Sequence, residues 1–194
     1  MLSMLNASTG LWVGIGVVIV LLLVGVWIFT TYNSFIKLKN NVEEGFATMD
    51  VYMKKRYDLI PNIVETVKGY AKHEKETLTA VIENRNSALK ATTIQDRVQS
   101  ESQLNESIKS LFALAESYPE LKANANFLEL QQQLTAIEQD IANSRKYYNS
   151  VVKMLNNKVE MFPSNLVAKW FKFTKKDMFE VSSETERENI KVQF

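Results

Sequence analysis

Residues 11–30 read LWVGIGVVIVLLLVGVWIFT, from Leu11 to Thr30. No charged side chain occurs before Lys37. At about 1.5 Å per residue, a helix of this length spans roughly 30 Å, the hydrocarbon thickness of a bilayer. Such a helix satisfies its own backbone donors and acceptors, as a lipid environment demands. Trp12 and Trp27 stand near its two ends, where indole rings favour the interface. The block reads as a transmembrane helix rather than as the core helix of a soluble domain.

Residues 1–10 contain no Lys or Arg. The positive leading region of a cleavable signal peptide is missing, as is a small-residue cleavage site after a shorter apolar stretch. The block is therefore expected to act as an uncleaved signal-anchor. Lys37 and Lys39 follow it closely, then Lys54, Lys55 and Arg56. Basic residues stay on the cytoplasmic side. The expectation is a single-pass protein of the cell inner (cytoplasmic) membrane. Residues 1–10 form a short extracytoplasmic N-terminus, and the C-terminal domain lies in the cytoplasm.

The chain has 194 residues, enough for one span and one further domain. Its 23 Lys+Arg against 22 Asp+Glu leave a formal net charge of +1, which argues against non-specific nucleic-acid binding. It has no cysteine, which excludes disulfides, thiolate metal sites and cysteine catalysis.

Beyond the span the pattern is helical. A first helix from Thr31 to about Asp58 turns Phe35, Leu38, Val42, Phe46, Met49 and Met53 inward. Asp58 stands three residues before Pro61 and reads as an N-cap. Whether Pro61 kinks one helix or separates two stays open. A second helix to about Leu89 carries Ile60, Ile63, Val64, Val67, Ala71, Leu78, Val81 and Ile82. Thr93 suits the cap of a third helix carrying Ile94, Val98, Leu104, Ile108, Leu111 and Ala115, which ends at Tyr118-Pro119. In the fourth, Phe127, Leu134, Ile141, Tyr148, Leu155 and Phe162 recur every seven residues, with Leu130, Ile137 and Val151 between them. Ser144 and Lys158 interrupt that second series. This a/d seam fits one wall of an antiparallel bundle, or self-association into a coiled coil.

The expected fold is all-α: the transmembrane helix, then an antiparallel up-and-down four-helix bundle of long helices over residues 31–162. Helices of these lengths bring the end of the fourth back towards the membrane. There the segment 163–176, with Phe162 before it, is apolar and basic. Phe162, Leu166, Trp170, Phe171 and Phe173 alternate with Lys169, Lys172, Lys175 and Lys176, and no acid falls among them. That composition suits an interface with anionic lipid. The same aromatics could cap the open end of the bundle, and both can hold. Residues 177–194 read as a polar, mobile tail.

No catalytic signature emerges, so the chain is not expected to be an enzyme, and no cofactor or metal is expected. The one histidine, His73, sits between charged residues and reads as solvated. Glu129, Glu138 and Asp140 read as solvating side chains. Gly10 and Gly14 form a G-x-x-x-G that lets two spans approach, a candidate for self-association. Lys54, Lys55, Arg56, Tyr57 and Asp58 form a candidate interaction patch for an anion or a partner. They fit equally a helix-end network with Glu65 and Asp58.

Several stretches carry a likeness: Tyr32-Asn33, Lys54-Lys55-Arg56-Tyr57-Asp58-Leu59-Ile60-Pro61-Asn62, Val64-Glu65-Thr66-Val67-Lys68-Gly69-Tyr70, His73-Glu74, Tyr147-Tyr148-Asn149 and Phe162-Pro163-Ser164-Asn165. On these the chain resembles the bacterial LemA family over essentially its whole length. It departs where Asn40 or Asn41 stands, a place where the family often has a basic residue. The resemblance implies a single-pass protein with a cytoplasmic four-helix bundle and no established enzymatic activity. It also implies association with membrane metalloproteases or with the formation of membrane compartments. The expected function is a membrane-anchored scaffold that self-associates and organises or shapes the inner membrane. The alternative is an adaptor that binds another membrane protein, such as a metalloprotease or sensor. The expected partners are the lipid bilayer and further copies of the chain, with no nucleic acid.

Overall fold

The computed structural model describes residues 2–180, with side-chain surroundings from Trp12 onward. Gly10 therefore has no described surroundings, and 181–194 of the polar tail lie outside the described residues. Among the described residues all regular structure is helical. The helices are α1 (Leu2–Tyr70), α2 (Lys75–Lys90), α3 (Ile94–Glu116), α4 (Pro119–Lys122), α5 (Ala125–Glu160) and α6 (Ser164–Trp170). The chain forms two compact units. The first takes in the chain up to Glu43 together with Val151–Lys176, and the second takes in Glu44–Ser150 and the chain from Asp177.

The helix boundary expected near Asp58 is absent. α1 runs through Asp58 and Pro61 to Tyr70, and the break falls at residues 71–74 instead. Asp58 is exposed inside the helix and caps nothing. A proline in a helix interior removes one hydrogen bond and costs about 3 kcal/mol. Here the carbonyl of Tyr57, four residues back, accepts from Arg85 Nε at 3.0 Å instead. Continuing the helix also keeps Ile60, Ile63, Val64 and Val67 buried, which outweighs the local cost.

In the second unit the interior is shared by Met49, Met53, Ile60 and Ile63 of α1, Leu78 and Val81 of α2, Leu104, Ile108 and Leu111 of α3, and Phe127, Leu134, Ile141 and Tyr148 of α5. Thr93 is the N-cap of α3: its hydroxyl accepts from the Asp96 backbone N–H at 3.1 Å and donates to the Asp96 carboxylate at 2.7 Å. Asn124 accepts from the Phe127 N–H at 3.0 Å, opening α5, and donates to the Tyr70 hydroxyl at 2.9 Å. α1 and α5 run antiparallel here. Gly45 faces Tyr148, Arg56 meets Glu138, and Tyr70 meets Asn124. A Cβ on Gly45 would lie 3.3 Å from the Tyr148 Cα, a tight approach that α5 would have to yield to by a few tenths of an ångström.

In the seam of α5, Phe127, Leu134, Ile141, Tyr148, Val151 and Leu155 are buried. Leu130 and Ile137, which alternate with them along the seam, are half-buried. Ser144 is buried too, its hydroxyl donating to the Ile141 carbonyl at 3.0 Å, which removes the cost of a polar group in the seam. Phe162 falls past the end of α5 and is 78% exposed.

The start of the tail is anchored rather than mobile. Phe179 is buried under the Arg145 guanidinium, 5.1 Å from its ring. The Asn149 amide both accepts from the Phe179 N–H (2.8 Å) and donates to its carbonyl (3.0 Å). The Tyr148 hydroxyl donates to the Asp177 carbonyl at 2.9 Å. In the first unit Asn156 grips the Lys176 backbone in the same two-bond way, at 2.9 Å each. A side-chain amide has the donor and acceptor of a peptide group, so it can pair an extended backbone that no strand accompanies.

Candidate functional site

Three regions follow from the sequence: the apolar block, the cation cluster on α1, and the apolar-basic segment. The apolar block lies in α1, the one described helix long and apolar enough to cross a membrane. Its most apolar window has mean hydropathy 2.8 and no buried residue. Trp12, Leu21 and Phe29 are 70%, 65% and 66% exposed, while Trp27 is half-buried. A Cβ added at Gly14, Gly16 or Gly25 would meet no neighbour within 4 Å. Apart from Trp27 and Ile28, which are half-buried, the block from Trp12 to Thr30 is exposed.

The cation cluster does not form a surface patch. Successive helical residues turn by about 100°, so Lys54, Lys55 and Asp58 face outward while Arg56 and Tyr57 face the interior. Arg56 is 0% exposed. Its guanidinium pairs with Glu101 of α3, donates to Asn105 at 2.8 Å, and pairs with Glu138 of α5 at 2.6 Å. The Tyr57 hydroxyl donates to the same Glu101 carboxylate. The network expected with Glu65 and Asp58 is replaced by this one, and Glu65 pairs with Lys68 on the surface. Glu138, read as a solvating side chain, is a third partner of Arg56. Burial raises the Tyr57 phenol pKa, and the Arg56 and Arg97 charges pull it the other way. A buried charge is tolerated only when paired and hydrogen-bonded, and here one carboxylate serves both Arg56 and Tyr57. Arg56 and Tyr57 therefore hold helices together, while Lys54 and Lys55 stay at the surface. The signal was present on α3: Glu101 falls on the inward stripe between Val98 and Leu104.

The apolar-basic segment divides residue by residue. On α6, Val167 and Ala168 are buried. Phe173 is half-buried and stacks on Phe35 at 4.7 Å and 13°, with Tyr32 at 5.8 Å. Phe171 lies 4.8 Å from the Tyr32 ring. Lys158 bonds the Ser34 hydroxyl and lies 5.5 Å over the Phe35 ring. All of these contacts are made within the first unit. Phe162, Leu166 and Trp170 point away from it, 78%, 57% and 72% exposed. Lys169, Lys172, Lys175 and Lys176 are exposed, with Lys175 paired to Glu160 at 2.6 Å. Leu166 and Trp170, four apart, share one face of α6 with Lys169, while Val167 and Ala168 form the opposite, buried side.

The turn after α6 satisfies its last carbonyls. The Phe173 N–H donates to Ala168 at 2.9 Å and the Lys172 N–H to Lys169 at 3.4 Å, the two bonds of a Schellman cap. Lys172 occupies the left-handed position of that cap with φ 59°, where glycine is usual. The cap turns Phe173 back onto Phe35.

Among the described residues no group of three or more His, Cys, Asp or Glu is placed to hold a metal. His73 is exposed in the turn between α1 and α2.

Comparison with known proteins bears on the helical region. The chain is similar to Protein LemA of Metamycoplasma hominis, at 24% identity over 163 residues, covering 81% of this chain and 72% of that protein. The family model described as LemA family matches residues 45–194, from the glycine that admits Tyr148 onward. On that match, which takes in both Arg56 and its partners on α3 and α5, the chain belongs to the LemA family.

Proposed function

We propose that the chain is a membrane-anchored, non-enzymatic scaffold of the inner membrane. In this reading the apolar block of α1 crosses the bilayer with the N-terminus outside. The helices beyond it form an up-and-down four-helix bundle in the cytoplasm, and copies of the chain associate to organise or shape the membrane. The observation that carries the reading is the uncovered apolar block at the head of a helix whose far half is buried in the second unit. Apolar surface of that extent needs lipid or another span against it. In this reading association runs through the span, where Gly14 permits close approach.

The test is the mass of the full-length protein in mild detergent, by light scattering with the detergent contribution subtracted. A discrete high-order assembly that Gly14→Leu breaks down is the expected result. A monomer or dimer overturns the scaffold and moves the reading to an adaptor, for which cross-linking to a client membrane protein is the next step.

A further inference from the structure

We propose that α6 and the turn after it form a second membrane contact, an interfacial foot that lies in the anionic headgroup layer beside the span. The inference rests on α1 crossing the bilayer and deepens that reading. Its level is set by contacts inside the first unit. Phe171 and Phe173 lie against Tyr32, and Phe173 against Phe35. Tyr32 and Phe35 stand two and five residues past Thr30 on the same helix, which is ~3 and ~7.5 Å at about 1.5 Å per residue. Each headgroup layer adds roughly 5–8 Å outside the hydrocarbon. The foot is thus held at headgroup depth whatever the rest of the chain does.

Its chemistry fits that layer. Phe162, Leu166 and Trp170 are largely exposed although Val167 and Ala168 beside them are buried. An indole and a leucine on one face of α6, with Lys169 beside them and Lys172 in the turn that follows, match the apolar body and charged rim of interfacial segments. No acidic residue lies between Phe162 and Lys176. Lys172 adds a second, independent observation. It occupies a left-handed backbone position that costs a non-glycine residue conformational energy. Folding alone favours glycine there, and the lysine puts a cation at the foot instead.

The test uses full-length protein in vesicles. Trp12→Phe with Trp27→Phe leaves Trp170 as the sole tryptophan. The probes are phosphatidylcholine vesicles with and without phosphatidylglycerol, carrying bromine at shallow or deep chain positions. The expected result is blue-shifted Trp170 emission, quenched more by shallow than by deep bromine, and stronger with phosphatidylglycerol. Lys172→Gly should keep or improve thermal stability yet lower the docked-to-undocked ratio of the foot on phosphatidylglycerol vesicles about fivefold, read from Trp170 quenching, the effect of one lysine near a charged surface. Solvent-like, unquenched Trp170 emission overturns the foot. So does blue-shifted emission that no bromine quenches, because the ring then meets protein. A variant that keeps only Trp27 separates the two readings. If Trp27 is quenched and Trp170 is not, the foot alone fails; if neither is quenched, the spanning reading fails with it.

Discussion

Arg85 donates its Nε–H to the carbonyl oxygen of Tyr57 at 3.0 Å, the oxygen that Pro61 leaves without its helical donor. α2 thus supplies what α1 lacks, and the longest helix of the chain depends on a side chain from its neighbour. Arg85→Ala should destabilise by about 1–2 kcal/mol, the cost of an unsatisfied buried carbonyl. In a Pro61→Ala background the peptide N–H returns, and the same Arg85→Ala change should cost less than half as much. Denaturant unfolding followed by circular dichroism reads the coupling. Equal costs in the two backgrounds would separate Arg85 from the proline.

The Arg56–Glu101 pair predicts a larger asymmetry. Arg56 is 0% and Glu101 1% exposed. Glu101→Leu strands a buried guanidinium and should cost about 3–5 kcal/mol. Arg56→Met combined with Glu101→Leu removes both charges and should restore most of that loss. Glu138 is 39% exposed, so Glu138→Gln should change stability by well under the Glu101 effect. Thermal or denaturant unfolding of the three variants ranks the costs, and a double variant no more stable than Glu101→Leu alone would refute the pairing argument.

Alkaline pH should loosen the second unit. Burial holds the phenols of Tyr57 and Tyr148 above their ordinary range, and the Asp177 carboxylate adds to the effect on Tyr148. In the unfolded chain both ionise near pH ~10. Above that pH the folded state keeps protons that the unfolded state has lost, so stability falls as pH rises. Below it the contribution is complete. The melting temperature should stay level to about pH 9.5 and then drop. Tyr57→Phe with Tyr148→Phe should flatten that drop, even if the variant melts lower throughout. An unchanged slope would count against burial as the cause.

Two glycines of α1 should respond in opposite directions. At Gly69 a Cβ would meet nothing within 4 Å, so Gly69→Ala should stabilise by about 0.5–1 kcal/mol through helix propensity. At Gly45 the same Cβ would meet the Tyr147 ring at 3.2 Å and the Tyr148 Cα at 3.3 Å. The exposed ring can move, but the backbone of α5 cannot. Gly45→Ala should therefore lower the melting temperature while Gly69→Ala raises it. A rise for both would show that the crossing of α1 and α5 has slack.

The inward stripes were legible because a helix buries every third or fourth residue. Phe35, Leu38, Val42, Met49 and Met53 follow that rule, as do Phe127, Leu134, Ile141, Tyr148, Val151 and Leu155 of the seam. Thr93 was legible as a cap because a hydroxyl followed three residues later by Asp96 is a local device. The LemA family likeness was legible in the run from Lys54 to Tyr70, since its residues are fixed along the chain.

What the sequence by itself determined is therefore what depends on neighbours in the chain: the all-helical pattern, the apolar block with Trp12 and Trp27 at its ends, and the faces each helix buries. What only the tertiary structure decided depends on partners far away in sequence. Pro61 stays inside a helix because Arg85 reaches the Tyr57 carbonyl, and Arg56 is interior because Glu101 and Glu138 arrive from two other helices. Phe179 is core because Asn149 holds its backbone. Phe173 and Trp170, three residues apart, part company because the left-handed turn at Lys172 sends one ring onto Phe35 and leaves the other outside. Local periodicity assigns a residue to a face. Whether a charge or a carbonyl on that face is tolerated depends on which groups the fold brings to it.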